Sequence, residues 1–292
     1  MLSLHTNNAA LSAQNSISRT QNHLSTSMTR LSTGFRINSA MDDAAGLQIA
    51  TRLKVQTSGM SVAMRNTQNS ISLMQTAEGA LDEVTSILNR MKDLATQAAD
   101  DSSTQDDRDA MQKEFDTLTD ELSNIFANTK FGGTELFNSA AGKLTTALTF
   151  QIGAADSETM TGDFTGELTT ASGSIAAAAV GFVDTGVGAA AGAELNTSAA
   201  VANTAIDALT TAIDDVGALR SKLGAVSNRL DHVYNNLSNI STNTKNATGR
   251  IMDTDFATES ANMTASQMLL QAGTAMLKQS NSQSSLVLSL LQ

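Results

Sequence analysis

Residues 205–240 read AIDALTTAIDDVGALRSKLGAVSNRLDHVYNNLSNI. Within them Ala205, Leu209, Ala212, Val216, Leu219, Leu223, Val226, Leu230, Val233, Leu237 and Ile240 stand at alternating spacings of four and three, without a slip. A repeat of this kind places one apolar stripe along a helix and is the pattern of a coiled-coil seam. At about 1.5 Å per residue the stripe is on the order of 50 Å long. Such a stripe needs partners, because water disfavours an apolar face left open.

The partners are in the first half of the chain. Met74, Leu81, Leu88 and Ala95 alternate with Ala77, Val84, Met91 and Ala98 in the same rhythm, and a shorter seam follows at Met111, Phe115, Leu118, Leu122 and Ile125. The composition agrees with helix-on-helix packing. Aromatic residues are 3% of the chain, with no Trp and a single Tyr, while hydrophobic residues reach 41%. Proline is absent, so no helix is interrupted by a missing amide donor.

Local signals mark the breaks between seams. Gly34 is suited to the left-handed conformation that ends a helix. Ser39 followed by Asp42 reads as a capping box opening the next helix, with Asp43 also favourable near its positive end. Thr104 with Asp107 repeats the box, and Asp253, Thr254 and Asp255 precede the last helical segment. Residues 130–195 differ, being rich in Gly, Ala and Thr. Short pieces such as Leu144 to Ile152 read as strands between glycine turns, an irregular linker being the other reading.

Both outer segments carry apolar stripes in a polar setting. Leu4, Leu11, Ile17, Leu24, Met28, Leu31 and Phe35 recur at roughly helical spacing. Phe256, Met263, Leu270, Leu277 and Leu291 stand at multiples of seven, with Leu269, Met276 and Leu290 on an adjoining row. After Glu259 the only charged side chain is Lys278. The stripes either pack on the core of their own molecule or stay open until neighbouring chains cover them. The second reading is preferred, because Ser, Thr, Asn and Gln line the rest of both segments and one such pair buries too little to offset its ordering entropy.

Several function classes are excluded or disfavoured. Without cysteine there are no disulfides and no thiolate chemistry. A net charge of −11 with no run of Lys or Arg disfavours nucleic-acid binding. No stretch approaches the roughly 20 apolar residues of a membrane span. Residues 1–18 hold neither a Lys nor an Arg nor an apolar run, so they do not read as a secretory signal. By that test alone the chain stays inside the cell. The three histidines, His5, His23 and His232, form no His-Glu-x-x-His helix. Asp42-Asp43, Asp106-Asp107 and Asp214-Asp215 are adjacent pairs, which do not face each other on a helix. No enzyme, metal or cofactor is expected.

Two groups of motifs resemble the bacterial flagellins. LSTGFRINSAMDDAAG at residues 31–46, together with LSLHTN at 2–7, resembles the N-terminal signature of that family. LRSKLGAV at 219–226, QAGTAML at 271–277 and the closing VLSLL at 287–291 resemble the C-terminal one. The resemblance implies a mainly α, hairpin-shaped subunit. Its inner coiled-coil layer would comprise residues 1–43 and 251–292, and its rod layer residues 44–129 and 196–250. The intervening segment 130–195 would be small and β-rich or irregular.

As function the resemblance implies polymerisation into the extracellular flagellar filament, the helical propeller of swimming. Export through the flagellar type III apparatus needs no cleavable signal, which reverses the intracellular assignment above. The implied partners are copies of the same chain, the export apparatus, an export chaperone on the C-terminal segment, the filament cap and the hook–filament junction proteins. The polymerisation contacts implied are Leu4, Leu11, Leu24, Met28, Leu31, Phe256, Met263, Leu270, Leu277, Leu290 and Leu291. On the rod-layer surface, Arg90, Leu94 and Glu114 match residues that contact Toll-like receptor 5 in the flagellins this receptor detects. A hook–filament junction protein of the same architecture is the alternative.

Overall fold

The computed structural model describes residues 7–186 and 192–290, with side chains as far as residue 282. The fold is mainly α. In chain order it comprises α1 (Asn8–Thr33), α2 (Ala44–Ala98), α3 (Gln105–Asn128), β1 (Lys130–Phe131), β2 (Thr134–Glu135), a 3-10 turn (Lys143–Thr145), β3 (Leu148–Gln151), β4 (Thr159–Gly162), α4 (Thr165–Ala178), α5 (Ala199–Met252) and α6 (Phe256–Leu290). Two compact units form. One is Met1–Thr57 with Thr242–Gln292, the other Ser58–Ser241. The long helices α2 and α5 each contribute residues to both units.

The unit 58–241 is built on the seams. All eight residues from Met74 to Ala98 that carry the α2 repeat are buried, as are Phe115 and Leu122 of α3 and Leu209, Ala212, Val216, Leu219 and Leu223 of α5. Burying a Leu-sized side chain gains roughly 1.5–3 kcal/mol, so stripes of this length are the main cohesive force. Ion pairs finish the helix contacts at the surface: Arg220 to Asp82 at 2.9 Å links α5 to α2, and Arg90 to Glu114 at 2.6 Å links α2 to α3. The α5 stripe is not sealed throughout. Val226 and Val233 are half-buried and Ile240 is exposed.

The segment 130–195 folds back onto this bundle and is less β-rich than its composition implies. Two antiparallel hairpins form, β1 with β2 and β3 with β4. The strand expected from Leu144 begins later, because residues 143–145 take a 3-10 turn that seats Leu144 in the core. The helix α4, which composition does not signal, follows β4. Its Leu168, Ala171, Ile175 and Ala178 lie at spacings of three and four and are all buried. Lys222 of α5 anchors it through Glu167 at 2.6 Å. Phe126 gathers two more rings, Phe137 and Phe182, at centroid distances of 5.4 and 5.2 Å.

One polar device ties down the return toward α5. Gln112 of α3 is buried, donates to Asp116 and Glu194 at 2.8 and 2.9 Å, and accepts from the Leu195 amide at 2.7 Å. Both amide hydrogens and the carbonyl oxygen have partners, which is what makes a buried amide tolerable.

Candidate assembly surface

In the unit that holds α1 and α6, the two helices run antiparallel against each other. Four contacts set the register. Asn7 donates to the carbonyl of Ser280 at 3.2 Å, and Arg30 meets Glu259 at 3.7 Å. Ile17 rests on Gly273, where an added Cβ would come 2.9 Å from its Cγ1. Beyond the end of α1, Phe35 and Asp253 form an antiparallel bridge, with the Thr254 amide donating to Gly34 at 3.0 Å and Arg36 to the Met252 carbonyl at 2.6 Å.

The caps explain where these helices begin and end. Gly34 closes α1 at φ 76°, a left-handed conformation that costs glycine nothing. Asp42 accepts from the amides of Asn38 and Ser39, at 3.0 and 2.9 Å, and so closes a turn ahead of the helix. Those backbone donors, Ser39 first, hold its carboxyl below the usual aspartate range. The cap of α2 is the next residue: Asp43 accepts from Gly46 at 2.8 Å. The box expected to open α2 therefore makes the turn, one step before the cap. Asp255 begins α6, accepting from the Thr258 hydroxyl and the Ala257 amide, which lower its pKa in that order.

The α1–α6 seam is thin. On α1 the sheltered positions are Ala10, Ala13, Ile17, Thr20, Leu24, Ser27 and Leu31, and on α6 they are Glu259, Met263, Ser266, Leu270, Gly273, Leu277 and Ser280. The spacing is again three and four, but small or polar side chains occupy most positions. Only Ser27 and Glu259 are fully buried among the described residues of the two helices, Glu259 at 7%. Every large apolar group in the seam stays half open.

The expected polymerisation contacts divide on this geometry. Leu24, Leu31, Met263, Leu270 and Leu277 lie in the seam, while Leu11, Met28 and Phe256 stand outside it and are exposed. Leu4 and Leu291 lie outside the described residues, as does the side chain of Leu290. A second apolar row appears on α6 at Ala265, Met268, Leu269, Ala272 and Met276, all exposed and spaced to share one side of the helix. Seam members that the apolar stripe alone does not reveal are Arg30, Ser27, Glu259 and Gly273. Their signal is spacing: Glu259 stands four residues before Met263, in step with the repeat.

In the unit 58–241, Arg90 and Glu114 are joined by two hydrogen bonds, at 2.9 and 2.6 Å, on an exposed surface. Leu94 does not belong with them. It is 2% exposed and part of the core. The face of α2 that neighbouring elements cover is broader than two positions per heptad, so Leu94, beside Ala95, is drawn in.

Among the described residues no cluster of three or more His, Cys, Asp or Glu side chains is placed to hold a metal ion. Among them, too, no helix is long and apolar enough to cross a membrane. What these residues form is a helix pair whose apolar surface exceeds what the pair itself covers.

Comparison with known proteins identifies that arrangement. The bacterial flagellin N-terminal helical region matches residues 4–141, and the bacterial flagellin C-terminal helical region matches residues 206–291. Polar flagellin F of Vibrio parahaemolyticus is 50% identical over 157 residues, which make up 54% of this chain and 41% of that protein. Flagellin D of Vibrio cholerae is 46% identical over 157 residues, with the same shares of each chain. The chain thus spans about two fifths of the length of these relatives. A solved structure from Vibrio parahaemolyticus, described as flagellar hook-associated, aligns over 73% of this chain and all of its own, with a TM-score of 0.55 at 18% identity, a likeness of fold alone. With both helical regions of one family matched in order, and the helices observed where those matches fall, the chain belongs to the bacterial flagellin family.

Proposed function

We propose that the chain is a structural subunit that polymerises with copies of itself into the extracellular bacterial flagellar filament, the helical propeller of swimming. The observation that carries this reading is the state of α1 and α6. They pair, yet leave Leu11, Met28, Phe256, Met268, Leu269 and Met276 in water. Exposed apolar rows such as Met268, Leu269 and Met276 on one side of α6 mark an interaction site. A heterologous contact that does not close on itself repeats into a helical polymer. The curated relatives, named as flagellins, support the same assignment.

In this reading residues 1–43 and 251–292 supply the inner layer of the filament and residues 44–129 and 196–250 the surrounding one. Leu4, Leu11, Met28, Phe256, Leu290 and Leu291 make contacts between subunits, and Leu24, Leu31, Met263, Leu270 and Leu277 set the helix pair that presents them. The export apparatus, a chaperone covering α6 before export, the filament cap and the hook–filament junction proteins are the further partners. The exposed Arg90–Glu114 pair serves lateral contact between subunits first and an innate receptor such as Toll-like receptor 5 second. No catalytic role, metal or cofactor enters.

The test is salt-induced assembly of the purified protein, viewed by electron microscopy, beside a variant lacking residues 256–292. Filaments from the full chain and none from the truncated one are expected. Polymer that still pellets after truncation would contradict the proposal.

A further inference from the structure

The chain has 13 methionines and no cysteine, so its redox-active sulfur is thioether alone. The methionines are unevenly placed. In the unit 58–241, Met60, Met74, Met91, Met111 and Met160 are buried and Met64 is half-buried. On α1 and α6 Met263 is half-buried in the seam, while Met28 is 55% exposed, Met268 60% and Met276 65%. Met28 lines an open groove on α1 beside Leu24. Met268 and Met276 flank Leu269 and Ala272 on the uncovered row of α6.

We propose that Met28, Met268 and Met276 are oxidation-sensitive positions along the assembly surface, at which peroxide-class oxidants modify the free subunit and block its assembly. The inference rests on the reading above, that copies of the chain cover this surface. In the reaction a thioether sulfur attacks one peroxide oxygen. A sulfur–oxygen bond forms as the oxygen–oxygen bond breaks, the sulfur gives up two electrons, and the second peroxide oxygen leaves as hydroxide, which takes the proton of the first and departs as water. The product is a sulfoxide, a polar and chiral group in place of a flexible apolar one. On the α6 row Met268 stands beside Ala265, Leu269 and Ala272, with Thr264 and Gln271 the nearest side-chain donors, one turn away. Covering the sulfoxide oxygen with a second subunit takes it out of water and sets a polar group where the row was apolar, which burial disfavours. The core methionines are sheltered from the same reagent, so the fold persists while the assembly surface is lost. Met41, 96% exposed in the turn between α1 and α2, is an internal control. It oxidises readily but lies off both helices.

The experiment treats dilute full-length monomer with hydrogen peroxide, locates sulfoxides by peptide mass spectrometry, and then measures salt-induced polymer by sedimentation. Sulfoxides at Met28, Met41, Met268 and Met276 should precede any in the five buried methionines. The protein concentration needed for assembly should rise by about tenfold or more. A variant carrying Met28→Leu, Met268→Leu and Met276→Leu should assemble after the same treatment, and Met41→Leu alone should remain sensitive. In polymer assembled before treatment, the three methionines should oxidise far more slowly than in monomer. Undiminished assembly with all three oxidised would overturn the inference. So would equal oxidation rates at the three sites in monomer and polymer, a result that holds even if the triple variant folds poorly. Failure of the untreated protein to polymerise is read before oxidant is added, and it would remove the proposed function and this inference together.

Discussion

The α2–α5 bundle of the unit 58–241 and the α1–α6 pair are written in the same three-and-four rhythm and end in opposite states. In the bundle the repeat is filled mostly by Leu, Met, Val and Phe with some Ala, and most of the stripe is removed from water. In the pair it is filled by Ala, Ser, Thr and Gly between fewer large groups, and the only fully buried residues described there are a serine and a glutamate. Periodicity determines that both are helices and that both pair. Side-chain volume in the seam determines whether the pair suffices alone. Small seam residues let two helices approach closely but yield little apolar burial, so the large groups in the α1–α6 seam stay half open and Leu11, Met28, Phe256, Met268, Leu269 and Met276 remain exposed.

The contrast can be broken most forcefully in the bundle. Phe126 is fully buried and holds two other rings, so Phe126→Ala should cost about 3–5 kcal/mol in denaturant unfolding of the monomer. A next, smaller effect belongs to the seam of the pair. Gly273→Val places branched carbon against Ile17 and should weaken the α1–α6 contact by roughly 1–3 kcal/mol. Its readout is selective: assembly is lost, while the thermal transition of the bundle stays in place.

Smaller again is the cap of α3. Thr104 and Asp107 form a reciprocal capping box, and Thr104→Ala should lower bundle stability by about 1 kcal/mol. The Thr104 hydroxyl and then its amide hold the Asp107 carboxyl below its ordinary value of 3.8. A depressed carboxylate contributes stability that is full above the unfolded-state value and is lost as pH falls from there through the folded-state value. Acid titration followed by circular dichroism should therefore find wild type losing this contribution only below about pH 4, and Thr104→Ala depending less on pH in that window. The smallest effect is that of Arg90→Ala. An exposed ion pair of this kind is worth at most about 1 kcal/mol, so monomer stability should hardly change. Any loss of polymer in that variant then reports a contact between subunits.

Much of this was legible from spacing alone. The α2, α3 and α5 stripes, the turn at Gly34 and the Thr104–Asp107 box appear where the residues place them, because each signal is local or strictly periodic. The helix α4 was not legible. Its sequence, TGELTTASGSIAAA, mixes glycine and threonine with alanine and has no strong apolar face. Burial of Leu168 and Ile175 and the Lys222–Glu167 pair hold it helical, and these come from tertiary contact. Leu94 was misplaced for a related reason: a helix with neighbours on more than one side buries more than its two seam positions. In the α1–α6 pair the apolar positions were legible, but not which of them the pair itself would shelter. That division depends on register, and register is set by Gly273 under Ile17 and by Arg30 against Glu259, residues that an apolar stripe passes over.

On the proposed function, α1 and α6 gain their protection from sister subunits while the bundle has its own. Amide hydrogen exchange, compared between dilute monomer and assembled polymer, tests it most directly. Strongly protected amides are expected along residues 74–98 and 205–223 in both states, with fast exchange along α1 and α6 that slows by orders of magnitude on assembly. Amides of α1 and α6 protected in the dilute monomer as well as those of the bundle would contradict it.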